Sequence, residues 1–292
     1  MAVDSTGICW VAESASGMIG RYDPQTGTYT RIALPGENSF PQPIAVDPQD
    51  RVWVGDGHGR VNSRLVEYEP KSGTFTVYPI PKTYDLNNYS LQMIRFQKDG
   101  SVWGDMYNGR SIIRLDPATK KVTEFPGVPT IQYGMAIDGD GAVWISEQMA
   151  GKMARLDSKS GQLTEFDLPT KDSMPQRLGS DAQGNLWVPE YRAGKIAMID
   201  YRTTKITEYP TPTKNSGPYS ISVDRTHNLI WIDEMMAAQL ARFDPRTKTF
   251  VEYPLPTRLS SVRRIEVDPT RPNRIWFSGL LRDNLGYMDI IE

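Results

Sequence analysis

Short stretches of alternating apolar and polar residues recur along the chain, four to a unit, and each unit carries a single tryptophan at the same place. In one unit, Met135-Ala136-Ile137-Asp138 and Ala142-Val143-Trp144-Ile145-Ser146-Glu147 alternate with period two on either side of Gly139-Asp140-Gly141, a strong hairpin signal. Lys152-Met153-Ala154-Arg155-Leu156-Asp157 and Leu163-Thr164-Glu165-Phe166 follow, separated by Ser158-Lys159-Ser160-Gly161. The four runs predict strands a, b, c and d of one antiparallel meander. Pro169 ends pairing at the outer edge, where no neighbour requires its missing N–H. Helical periodicity is absent nearly everywhere.

The tryptophans, Trp10, Trp53, Trp103, Trp144, Trp187, Trp231 and Trp276, stand 41 to 50 residues apart. A second pattern follows each of several of them, as in Arg21-Tyr22-Asp23-Pro24, Arg114-Leu115-Asp116-Pro117 and Arg242-Phe243-Asp244-Pro245. A third closes the unit, as in Thr123-Glu124-Phe125-Pro126 and Thr207-Glu208-Tyr209-Pro210. A four-stranded unit of this size cannot bury its own faces, so copies must stack around an axis. The expected fold is therefore all-β, a seven-bladed β-propeller of four-stranded antiparallel blades forming a single domain over residues 1–292. Each tryptophan is expected between blades. The last blade stops after strand c, Leu285-Gly286-Tyr287-Met288-Asp289-Ile290. Either the chain is cut from a longer polypeptide or it tolerates a closing blade with an exposed edge. The insertion Lys82 to Tyr89 is read as a loop that overhangs the ligand mouth or merely decorates it.

Extending the hairpin count locates a candidate site. If Asp138 pairs with Ala142, Tyr133 falls opposite Glu147, Gln42 opposite Asp56, and Gln176 opposite Glu190. The same count places Tyr219 opposite Glu234, Gln92 opposite Asp105 or Met106, and Arg263 opposite Gly279. Strand a is innermost in a propeller, so Gln42, Gln92, Tyr133, Gln176, Tyr219 and Arg263 are expected around one channel mouth. Glu13, Asp56, Glu147, Glu190 and Glu234 back them, and His58, Tyr107, Gln148, Tyr191, Arg192 and Met235 come from the adjoining loops. Such a polar, acidic and aromatic funnel suits a small polar ligand or a divalent cation. The carboxylates also have a purely structural reading, as acceptors for exposed strand ends.

A net charge of -2, with basic residues spread through every repeat, argues against a nucleic-acid partner. No apolar run approaches membrane-spanning length, no leader segment is evident, and a monomer is expected. The compartment stays undetermined. Cys9, the single cysteine, reads as a small buried strand residue rather than a nucleophile. Of two histidines, His227 belongs to an a–b turn and reads as a solvated loop residue. His58, flanked by Gly57 and Gly59, is the one placed for close ligand approach.

Trp-x-x-Glu followed by Gly-Lys-Ile/Met-Ala and then Thr-Glu-Phe/Tyr resembles the virginiamycin B (streptogramin) lyase family over essentially the whole chain. Trp187-Val188-Pro189-Glu190, Gly194-Lys195-Ile196-Ala197 and Asn215-Ser216-Gly217-Pro218-Tyr219-Ser220-Ile221 carry the resemblance most closely. It implies a seven-bladed propeller and a magnesium-assisted elimination that opens a cyclic depsipeptide, in which a base removes a proton alpha to a carbonyl. The resemblance also implies histidines where this chain has Tyr219 and Arg263, an acid where it has Ser261, and a glutamate where it has Gly279. Two readings follow. The first is a propeller that recognises a small molecule, peptide or partner at the mouth, without the family's full histidine set. Gln42, Gln92, Tyr107, Gln176, Tyr191 and Arg263 then bind ligand, with Arg263 taking an anion. The alternative is a lyase or hydrolase acting on a cyclic ester or lactone. It would use His58, Tyr133 or Tyr219 as base and Mg2+ or Ca2+ held by Asp56, Glu147, Glu190 and Glu234. A gluconolactonase-like reading conflicts with seven repeats, because that plan has six blades.

Overall fold

The computed structural model describes residues 1–57, 63–81, 90–107, 109–256, 261–279 and 284–291. Seven antiparallel sheets follow one another in chain order, six of four strands and a last one of three, the blades of a seven-bladed β-propeller. The four-stranded sheets run a-b-c-d and the last runs a-b-c, all without a crossover, and no helix occurs among the described residues. Two compact units contain them, Met1–Gln132 and Tyr133–Glu292.

In the fourth sheet, strand a is Gln132–Ile137, b is Val143–Glu147, c is Lys152–Leu156 and d is Leu163–Asp167. Its b–c and c–d pairings run in register, Trp144 opposite Arg155 and Arg155 opposite Thr164. The c–d reversal is a tight turn closed by the Gly161 N–H on the Asp157 carbonyl, with the Asp157 carboxylate accepting the Lys159 and Ser160 amides. Those amides hold that exposed carboxyl below its ordinary range.

Five of the tryptophans share a buried cluster with the next sheet, where the repeat predicts them. In the first unit, Trp10 shares a buried cluster with Ile44 and Val52 of the next sheet, and Trp53 with Leu91 and Ile94. In the second, Trp144 lies with Leu178 and Val188, Trp187 with Ile221 and Ile230, and Trp231 with Val262 and Ile265. Burying one such ring is worth about 4–6 kcal/mol at most. The indole N–H of Trp10, Trp53, Trp144, Trp187 and Trp276 donates to an aspartate of its own a–b turn, at 2.8–3.0 Å. In the third sheet Gln97 takes the aspartate's role. In the sixth, the ring of His227 engages Asp224 at 2.7 Å, and Trp231 Nε1 has no hydrogen-bond partner among the described residues.

One expectation is corrected. The a–b register slips by one residue partway along strand a, so Asp56 faces Pro41, Met106 faces Leu91, Glu190 faces Pro175, Glu234 faces Pro218 and Gly279 faces Val262. A count from the turn end misses a β-bulge, whose extra residue bends the strand and re-aims side chains. Gln42, Gln92, Tyr219 and Arg263 are bulge residues. The amide that a bulge leaves outside the ladder finds an acceptor on strand b. Met93 N–H donates to Asp105 and Ser220 N–H to Asp233, both at 2.6 Å, and Gly134 N–H to Ser146 Oγ at 2.8 Å. In the second sheet the residue is Pro43, which has no N–H, and the strand b residue is Gly55. A Cβ there would meet Pro43 Cγ at 2.6 Å.

Candidate ligand site in the second unit

The fifth sheet breaks the pattern and thereby builds the site. Its strand b carries Pro189, which cannot donate to strand a, and strand a shrinks to Gly179–Ser180. Arg177 turns instead to the neighbouring sheet. Its N–H donates to the Tyr219 carbonyl at 3.1 Å, and its carbonyl accepts the Ile221 N–H at 3.2 Å, a short parallel bridge. Arg177 is thereby laid against Tyr219.

Around it gather Tyr133, Tyr191, Tyr219 and Arg263. The hydroxyls of Tyr133 and Tyr219 hydrogen-bond to each other, with the rings edge to face at 5.9 Å. Tyr191 meets Tyr219 edge to face at 6.0 Å. The Arg177 guanidinium lies 5.5 Å from the Tyr133 ring and 5.9 Å from that of Tyr219, and the Arg263 guanidinium lies 5.5 Å from the Tyr219 ring. Cation–π attraction of this kind strengthens as water is removed. Tyr133 is 9% and Tyr219 5% exposed. Burial, then the Tyr133 hydroxyl, pushes the Tyr219 phenol above its ordinary range, so at neutral pH it is a protonated donor. Gly217 has φ +64, and a Cβ on it would stand 3.0 Å from the Tyr191 ring and 2.6 Å from Met236 Cγ. Glycine allows both side chains to close in.

Two residues of this cluster escape the sequence reading, Arg177 and Asp233. Asp233 is fully buried, and one of its oxygens accepts both the N–H and the hydroxyl of Ser220 at 2.6 Å. The other has no hydrogen-bond partner among the described residues. Burial raises its carboxyl to about 7, although Ser220 and the charge of Arg177 oppose this. The available signal was positional. The strand b residue before the terminal position varies, through Gly55, Asp105, Ser146, Pro189 and Asp233, while the terminal position is an acid at Asp56, Glu147, Glu190 and Glu234 and Met106 in the third sheet.

Three of the repeating carboxylates sit in successive sheets of the second unit. Glu147, Glu190 and Glu234 end their b strands and are fully buried. Burial raises Glu190 to about 7, helped by the nearby charge of Glu208, and Glu234 also rises to about 7 by burial while accepting Gln239 Nε2 at 2.6 Å. In the first unit Asp56 clamps Arg64 at 2.6 Å and accepts the Phe40 N–H. A divalent cation requires several ionised oxygens on one centre. Among the described residues no group of three or more acids, histidines or cysteines comes together. Burial also favours the protonated form of two of the four candidates.

Of the remaining candidates, Gln176 is fully buried and accepts Gln148 Nε2 at 2.9 Å. Gln42, Gln92 and Tyr107 belong to the first unit, the two glutamines at their bulges and Tyr107 in the turn after strand b, its N–H on the Ser90 carbonyl. His58 lies outside the described residues, as does the insertion at 82–89. His227 is 60% exposed at its side chain, as expected of a loop residue.

The sheets and this cluster define a seven-bladed propeller with an aromatic and cationic site. Solved structures share the fold. Selenomethionine-substituted virginiamycin B lyase from Staphylococcus aureus matches with a TM-score of 0.85 at 23% identity, over 99% of this chain and 93% of that one. A catalytically inactive virginiamycin B lyase from the same organism, with quinupristin, matches with a TM-score of 0.84 at 22% identity, over 99% and 93%. The virginiamycin B lyase of Nocardia farcinica (strain IFM 10152) is 26% identical over 207 residues, 60% of this chain and 71% of that protein. The virginiamycin B lyase family model matches residues 62–291. The chain belongs to the virginiamycin B lyase family.

Proposed function

We propose that this propeller recognises a small polar ligand through Tyr133, Arg177, Tyr191, Tyr219 and Arg263. The observation that carries the reading is the seating of two guanidinium groups on the faces of a buried, mutually hydrogen-bonded tyrosine pair. Arginine and tyrosine are preorganised, with planar donors and large contact area, and they are the residue types that dominate binding energy at recognition surfaces. Neither supplies a base at neutral pH. The residues Tyr219 and Arg263 stand where the family resemblance implies histidines, which favours binding over proton abstraction.

A second reading, a lyase or hydrolase acting on a cyclic ester or lactone, draws on one observation. Asp233 is buried, has an unpartnered oxygen and titrates near neutrality, which are the properties of a general base. Incubation with quinupristin followed by reversed-phase chromatography separates the two. The recognition reading predicts unchanged elution even at stoichiometric protein. Conversion that disappears in Asp233→Asn would replace it with the enzymatic one.

A further inference from the structure

The Nε atoms of Arg177 and Arg263 are buried without a hydrogen-bond partner among the described residues. Each guanidinium stands over a tyrosine ring, and Arg177 Nη1 donates to the Arg263 carbonyl at 3.4 Å, which leaves the two Nε–H groups for an acceptor lying in the guanidinium plane. Charge points the same way, because two guanidinium groups meet at the one tyrosine pair.

We propose that Arg177 and Arg263 form a carboxylate-binding site through these Nε–H groups, so that the ligand is a monoanionic acid. This rests on the recognition reading and names its ligand class. A carboxylate offers two coplanar oxygens to the guanidinium groups and carries one negative charge. A phosphate dianion requires more water to be stripped from it. Tyr191, edge-on to Tyr219, gives an aromatic or apolar body of the acid a surface to lie against.

The test is thermal unfolding at constant ionic strength with sodium benzoate, benzamide or inorganic phosphate, each at about 20 mM. Benzoate is expected to raise the midpoint by about 2–4 °C, with no rise from the other two. The rise should vanish in Arg177→Met. Arg177→Lys keeps the charge but loses the fork, and is expected to weaken benzoate at least about fivefold. If Arg177→Met does not fold, Arg263→Met gives the same readout. No rise with benzoate overturns the proposal. An equal rise with benzamide overturns the carboxylate, and an equal rise with phosphate overturns the monoanion. Conversion of quinupristin would sink the recognition reading alone and leave the benzoate result standing.

Discussion

The two ends of strand a carry the same repeat and follow different rules. At the turn end an aspartate recurs with one task, to accept the indole N–H of its tryptophan together with the amides of its own turn. At the bulge end the residues diverge, through Gln42, Gln92, Tyr133, Gln176, Tyr219 and Arg263. Repetition marks what each blade needs in order to fold, and divergence marks what one part of the molecule needs in order to bind. The carboxylates ending the b strands belong with the first group by their repetition, and the burial of Asp56, Glu147, Glu190 and Glu234, each in its own sheet, fits that assignment.

The largest expected effect breaks the turn end. Asp138 accepts the Asp140 and Ala142 amides and Trp144 Nε1 at 2.8–3.0 Å, so Asp138→Ala should cost about 3 kcal/mol in urea unfolding. A cost below about 1 kcal/mol would remove the distinction between the two ends.

Next comes pH. Glu190 and Glu234 keep their protons in the folded state up to about 7, while the unfolded chain loses them near 4.5. Between those values the folded state binds more protons, so stability falls as pH rises through that window. Glu190→Gln removes the penalty and should stabilise by about 2 kcal/mol at pH 8 and by almost nothing at pH 4, read from midpoints across the range. A loss of stability at pH 8 would show that the ionised carboxylate is needed, as a cation ligand would be.

Smaller still, Tyr219→Phe keeps the ring and removes one hydroxyl, so stability should change by less than about 1.5 kcal/mol while ligand affinity falls. The smallest effect is expected at His227. His227→Ala frees the Asp224 oxygen for Trp231, giving a change within about 0.5 kcal/mol and a downfield shift of one indole N–H resonance.

Much of the fold is legible in the sequence because the tryptophan period, the alternation and the Asp-Gly turn are local signals that repeat. Boundaries of the fourth sheet fall within one residue of the runs that predict them, except that strand a begins three residues earlier, at Gln132. The bulge is not legible from the turn. It displaces the register without changing the alternation nearest the hairpin, and it is foreshadowed only by the pairing of Pro43 with Gly55. Tyr133, Tyr191, Tyr219 and Arg263 are found by counting along the repeat. Arg177 enters through a parallel bridge to another sheet, and Asp233 through a hydrogen bond to a bulged amide. Both contacts are set by tertiary geometry that no periodicity encodes.

Calorimetric titration of sodium benzoate into the wild type, Asp138→Asn and Arg263→Met sets the two ends of strand a directly against each other. Binding is expected to survive Asp138→Asn, whose midpoint falls, and to be lost in Arg263→Met, whose midpoint stays within a few degrees. Full binding by Arg263→Met would contradict the assignment of recognition to the bulge end.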